Sequence, residues 1–290
     1  MKPAVPAGEG GLSLGSSTAA GSEAAPDASC RLRLDLAYDG TDFSGWARQP
    51  GRRTVEQTVA DALARVLRLP MAPQLTVAGR TDAGVHAAGQ VAHVDLAADV
   101  DPAALGRRLA GVLPADVVVR RIVAVPAAFD ARFAALGRRY RYRVTDAAPD
   151  PLRRRDTVSW PRPLDVAAMN AAAAGLVGEH DFAAYCRRRE GASTMRTLRE
   201  LTVGRDDAGV VVISAHADGF CHNQVRSMVG ALLAVGEGRR PVDWPRAVLE
   251  GGVRDSAVTV APPYGLTLVA VDYPPDDQLA DRVATTRARR

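Results

Sequence analysis

Apolar residues fall on every second position from Arg31 to Tyr38, with Leu32, Leu34 and Leu36 alternating against Arg31, Arg33 and Asp35. That is the period of a strand with one buried face. Thr54 with Gln57 three residues on forms a capping box, and Val55, Val59, Ala62, Leu63, Val66 and Leu67 then share one helical face. A second half-buried strand follows from Gln90 to Leu96, where Ala92, Val94 and Leu96 alternate with Val91, His93 and Asp95. Asp101 and Pro102 open a helix through Leu113, and Val117 to Val125 reads as an apolar strand interrupted by Arg120 and Arg121. From Arg138 the alternation returns, with Tyr140, Tyr142 and Val144 pointing one way and Arg139, Arg141 and Arg143 the other.

Residues 146 to 164 are rich in proline and arginine and read as the crossing between two halves. Beyond them, Asp165 caps an Ala-rich helix through Val177 that ends at Gly178. Leu198 to Val203 and Val210 to Ala215 pattern as a hairpin, and Gly219 to Gly236 runs from a strand end into an apolar helix. Pro241 to Gly251 gives a short helix, and Tyr264 to Tyr273 a last apolar strand. The expected organisation is a disordered tail over 1–29, one half over 30–150, a second over 151–275 and a flexible basic tail over 276–290.

Composition narrows this only a little. The 290 residues are 47% hydrophobic, enough for a substantial core. No apolar run approaches the roughly 18 residues of a membrane span, and no charged head precedes an apolar block at the start, so a cytoplasmic location is expected. A net charge of +4 is too modest to establish a polyanionic partner. Lys2 is the only lysine, so the positive charge is guanidinium, which binds phosphate bidentately and stacks on bases. Cys30, Cys186 and Cys221 are odd in number and widely spaced, which reads as reduced thiols, and the five histidines show no metal-ligand spacing.

Chemistry concentrates in VAGRTDAGVHAAGQVAHVD, Val77 to Asp95, where Gly79, Gly84 and Gly89 bound a connection that presents Asp82. If the side chains of Arg80 and Asp82 meet, the guanidinium favours an ionised carboxylate, a nucleophile or base; the plainer reading is an ion pair that ties down a turn. Asp39, Gly40 and Thr41 invite comparison with the DxDGT nucleophile of haloacid-dehalogenase-type phosphatases, but Ala37 stands where that nucleophile would be. The Tyr140 and Arg139 faces suit either a nucleic-acid platform or a core strand with solvated arginines. Arg226, surrounded by Val225, Val229, Leu232 and Leu233 at helical spacing, calls for an anionic partner. Arg187, Arg188 and Arg189 form a basic run.

The full strings are more specific than their parts. GRTDAGVHA followed by GQV, YDGTDFSGWARQP, ARFAALGRRYRY, FCHNQVRSMVG and the closing GLTLVAVDY together resemble the signature of the TruA family of tRNA pseudouridine synthases, in order, over about residues 31 to 274. Ala47 and Gln224 stand where the family pattern has Gln and Met. The resemblance implies an α/β fold of α+β type, in two halves, each a mainly antiparallel sheet with helices on one side, the sheets joined around a central RNA-binding cleft. It implies a cofactor-free homodimer that converts uridine to pseudouridine at positions 38, 39 and 40 of the tRNA anticodon stem-loop. Asp82 would be the catalytic residue, supported by Arg80, Tyr140, Arg226 and Leu266. Tyr140 is then a candidate to remove the uracil C5 proton, with Arg139, Arg141, Arg187 and Arg188 as further substrate contacts.

Overall fold

The structure is a computed structural model that describes residues 29–187 and 193–288. Strand β1 (Ser29–Tyr38) buries Leu32, Leu34 and Leu36 on one face, as its alternation requires. Thr54 caps helix α1 (Val55–Leu67), its side-chain oxygen accepting the Gln57 N–H. The two-residue β2 (Thr76–Val77) leads into the Asp82 loop. Strand β3 (His86–Ala97) begins while the glycine-rich string is still running, so the end of that string is strand rather than loop. Helix α2 (Pro102–Ala110) starts at Asp101 as expected and stops three residues short of Leu113; β4 (Val117–Ala124) follows.

The second half of the chain is built similarly. Strand β5 (Gly137–Thr145) is followed by the short β6 (Val158–Ser159), helix α3 (Val166–Ala174), β7 (Gly178–Asp181) and the hairpin β8 (Met195–Arg205) and β9 (Val211–Ala217). Helices α4 (Gln224–Gly236) and α5 (Trp244–Gly251) precede β10 (Leu266–Asp272).

The ten strands of the described residues form one mixed sheet in the order β4-β1-β3-β10-β5-β9-β8-β7, with β2 on β3 and β6 on β5. The pairs are antiparallel except β10 with β3 and β6 with β5. The last strand therefore sits at the centre, joining a β4-β1-β3 side to a β5-β9-β8-β7 side. Each side has its own core. Leu34, Val59, Leu63, Leu105 and Val94 pack together on the first, and Tyr142, Met169, Leu198, Met228 and Leu232 on the second.

Two expectations are corrected here. The stretch 276–290, read as a flexible tail, instead forms helix α6 (Leu279–Ala288) over most of its length. Leu279 is buried with Val91, Phe129 and Ala131, and Val91 lies on the face of β3 opposite Ala92 and Val94, so one helix covers the side of the sheet expected to be bare. Leu279 and Val283, one turn apart, anchor this helix, too short an apolar stripe for a firm periodic signal. Cys186 and Cys221, read as reduced thiols, form a disulfide with Cα atoms 5.7 Å apart, a normal separation for a bridge. Sequence spacing carries no information about that approach. The expected tail over 1–29 lies outside the described residues except for Ser29, which begins β1.

Candidate active site

The loop from Ala78 to Val85 is held by a lattice of buried polar groups. Gln90 on β3 donates to the Gly79 carbonyl (2.8 Å) and to the Tyr38 hydroxyl (3.1 Å), which leaves the Tyr38 O–H to donate to Thr81 Oγ1 (2.8 Å). All three side chains are buried, and burial pushes the Tyr38 phenol up to about 12, against the hydrogen bonds from Thr81 and Gln90. The segment 39–46 closes on the loop from outside. Trp46 N–H donates to Thr81 O (3.0 Å), Gly84 N–H to Phe43 O (3.2 Å), and Gly40 N–H to His86 Nδ1 (2.9 Å). The opposite ring nitrogen of His86 lies 2.7 Å from the Arg155 carbonyl and 2.9 Å from that of Tyr264, which identifies it as the protonated one. Gly45, at φ +92°, presses its backbone against the loop: a Cβ there would stand 2.8 Å from Thr81 O.

This frame leaves the Asp82 side chain 37% exposed, facing two nitrogens on the opposite wall. Its Oδ2 lies 3.8 Å from Arg226 Nη1, and its Oδ1 lies 3.4 Å from His222 Nε2. Arg226 is mostly buried in the first turn of α4, where its Nε donates to Ala261 O (2.7 Å). Burial lowers its basicity and the Asp82 charge opposes that, so the anionic partner called for by the sequence is Asp82. Arg80 is exposed and has no ion-pair partner among the described residues; the Arg80 to Asp82 pairing does not form.

Tyr140 and Leu266 line the same region. Tyr140 meets the Phe220 ring edge to face at 5.3 Å between centroids. Burial drives its phenol well above the ordinary tyrosine range, and the nearby Tyr38 and Asp82 add to the shift while Arg138 opposes it. Leu266 opens β10 opposite Tyr142 and shares a core with Val85, three residues beyond Asp82, while Pro263 touches Gly84. A further buried guanidinium, Arg138, donates to the carbonyls of Ala78 (2.7 Å), Arg132 (2.9 Å) and Asp218 (2.8 Å), stitching the entry of the loop to the end of β9.

The other expected contacts lie elsewhere. Arg139 and Arg141 are exposed on the face of β5 away from Tyr140, where Arg139 lies 3.3 Å from Asp272. Arg143 on that face is paired with Asp206 (3.1 Å). Arg187 is exposed after Cys186, its backbone N–H donating to His222 O, and Arg188 lies outside the described residues. Sequence reasoning missed His222, Phe220 and Arg138. A signal for the first two was available in the polar string that separates β9 from α4. Among the described residues no cluster of three or more His, Cys, Asp or Glu is placed to hold a metal ion, and no helix is long and apolar enough to cross a membrane.

Comparison with known proteins identifies the family of the chain. A family model described as tRNA pseudouridine synthase matches residues 172–274. The chain is 65% identical to the tRNA pseudouridine synthase A of Frankia casuarinae over 266 residues, covering 91% of this chain and 97% of that protein. It is 57% identical to the corresponding protein of Streptomyces avermitilis, covering 90% and 94%. For that of Streptomyces griseus subsp. griseus the identity is again 57%, covering 89% and 93%. With such identity over nearly the whole of both partners, the chain belongs to the tRNA pseudouridine synthase A family of isomerases acting on tRNA.

Proposed function

We propose that the chain isomerises uridine to pseudouridine at positions 38, 39 and 40 of the tRNA anticodon stem-loop, as a cytoplasmic homodimer, with Asp82 as its catalytic carboxylate. The observation that carries the assignment is the placement of Asp82: an accessible carboxylate on a backbone pinned from both sides, facing Arg226 and His222. Isomerisation breaks the N1–C1′ glycosidic bond, turns the uracil, forms a C5–C1′ bond and releases the C5 proton. Every atom of the nucleoside but that exchanged proton is retained and no electrons are transferred, so the reaction requires no cofactor. The sugar carbon becomes electron-poor as the N1–C1′ bond breaks, and a carboxylate meets that need by attack at C1′ or by drawing a sugar proton to form a glycal.

The surrounding residues divide the remaining work. A target base must leave its stack to be reached, and Arg80, exposed beside Asp82, is placed to occupy the space it vacates. Tyr140 offers a ring to the freed uracil, backed by Phe220 and by the apolar wall at Leu266. Burial raises the Tyr140 phenol above the ordinary tyrosine range, and Tyr140 is the candidate to remove the C5 proton once the base is seated. Arg139, Arg141, Arg187 and Arg188 are assigned to phosphates of a tRNA that crosses both subunits.

The test is tritium release from [5-³H]uridine-labelled tRNA. Wild type should release label while Asp82→Ala releases none and still binds tRNA; equal release by both would refute the role of Asp82. Mapping pseudouridine in tRNA from a deletion strain should show loss at 38, 39 and 40 together.

A further inference from the structure

Asp82 faces a second nitrogen beyond the guanidinium that its charge calls for. Arg226 approaches Oδ2 at 3.8 Å, and the His222 ring approaches Oδ1 at 3.4 Å. The turn that carries His222 is fixed at each neighbouring residue. Cys221 N–H donates to Gln224 Oε1 (3.0 Å) and Gln224 N–H returns to Cys221 O (3.0 Å), while Cys221 is also bonded to Cys186. Arg187 N–H donates to the His222 carbonyl (2.9 Å), and Asn223 takes a left-handed conformation at φ 66° to start α4. Asparagine takes the left-handed region more readily than other L-residues, and here that turn aims an imidazole at a carboxylate.

We propose that His222 is a positioning residue for Asp82: it holds the carboxylate against rotation so that one oxygen faces the sugar of the bound uridine. The proposal rests on the reading of Asp82 as the catalytic group. The last torsion of an aspartate is broad and two-fold, so a carboxylate touched on one oxygen alone can turn. Arg226 cannot stop that rotation by itself, because its Nε is committed to Ala261 O (2.7 Å) and its Nη1 also approaches Asn223 Oδ1 (3.5 Å). A donor on the other oxygen removes the remaining freedom. A separation of 3.4 Å is longer than a tight hydrogen bond, as catalytic contacts often are before substrate fills the site. The His222 side chain is only 26% exposed, so the melting temperature of each replacement is read beside its turnover.

The experiment compares kcat, KM and tRNA affinity for wild type, His222→Phe, His222→Gln and Asp82→Ala, with melting temperature measured for each. Phenylalanine keeps the ring and removes the donor. It should lower kcat by about 10- to 100-fold, the order that misplacement of a reacting group costs. KM and tRNA affinity should stay within about twofold, because an orientation made only for the reacting state is lost from kcat alone. Glutamine carries an amide N–H at nearly the reach of the imidazole Nε2 and should restore most of kcat. If the phenylalanine variant does not fold, His222→Asn takes its place as the short donor and should be slow where glutamine is fast. Wild-type kcat in the donorless variant overturns the proposal, as does a raised KM with kcat unchanged, or a glutamine variant as slow as phenylalanine. An inactive Asp82→Ala beside a fully active His222→Phe removes the role of His222 alone, whereas an active Asp82→Ala removes the reading beneath it.

Discussion

The Asp82 loop and the arginine face of β5 belong to one sheet and hold their polar groups in opposite ways. Around Asp82 the side chains of Tyr38, Thr81 and Gln90 are buried and bonded to one another, and three backbone N–H groups of the two facing segments close the loop. On the far face of β5, Arg139 and Arg141 stand in solvent, and the contacts made by Arg139 are to partly exposed carboxylates. Buried polar networks fix a geometry because leaving any member unpaired is costly, while exposed ion pairs contribute little and move easily. The first arrangement suits a reaction that tolerates little displacement; the second suits a charged backbone that can be gripped at several registers.

Four perturbations would break the contrast, and their expected effects descend from loss of the reaction to a small change in acid stability. Asp82→Ala should abolish tritium release while tRNA binding persists, and residual turnover near the wild-type rate would place the chemistry elsewhere. Gly45→Ala puts a Cβ 2.8 Å from Thr81 O at a backbone angle that L-residues rarely adopt. It should destabilise the fold by about 1–3 kcal/mol and slow kcat, read by thermal unfolding and by turnover at a temperature where the variant is folded. A Gly45→Ala enzyme with wild-type kcat would show that the lattice is not what holds Asp82.

Arg139→Ala combined with Arg141→Ala should leave kcat alone and weaken tRNA binding. The slope of log affinity against log salt should fall by about one for each phosphate contact removed. A fall in kcat without a change in that slope would move these arginines into the reacting site. The smallest effect is expected at Asp39, which braces the segment against the loop. Burial acts to raise its carboxyl, but hydrogen bonds from Thr41 and Arg155 and the field of His86 outweigh that and bring it to about 2. A depressed carboxyl contributes stability above its unfolded value of about 3.9, and that contribution is lost as pH falls from there toward 2. The melting temperatures of wild type and Asp39→Asn should therefore converge over that acid range, and a constant difference would show that Asp39 does not couple to the fold through its charge.

Strands and helices whose apolar residues recur at a fixed period are legible in the sequence because the period is set locally. Leu32, Leu34 and Leu36 can be assigned to a buried face from eight consecutive residues, and Thr54 can be assigned as a cap from four. The same alternation correctly separates Tyr142 and Val144 from Arg141, yet it leaves a platform reading open in which rings and guanidinium groups act together. The sheet puts them on opposite faces. Around Asp82 the glycine spacing discloses a loop, while the partners of the carboxylate come from a helix start far along the chain. Arg80, two residues away, is the partner that spacing suggests; the fold delivers Arg226, the arginine that the family resemblance pairs with the carboxylate, and His222. Leu279 and Val283 of α6 make a stripe only one turn long, and the Cys186–Cys221 bridge leaves no periodic trace.

The central position of β10 has a consequence for how the protein is made. Its residues Leu266–Asp272 lie between β3 and β5, yet they are translated after the other nine strands of the sheet. A nascent chain carries the Asp82 loop and the Arg226 turn long before the strand that joins their two sides, and until then β3 and β5 present open edges that can pair with other chains. A transcript cut short just before Leu266 would encode every group that faces Asp82 and still yield two unsealed half-sheets rather than an enzyme.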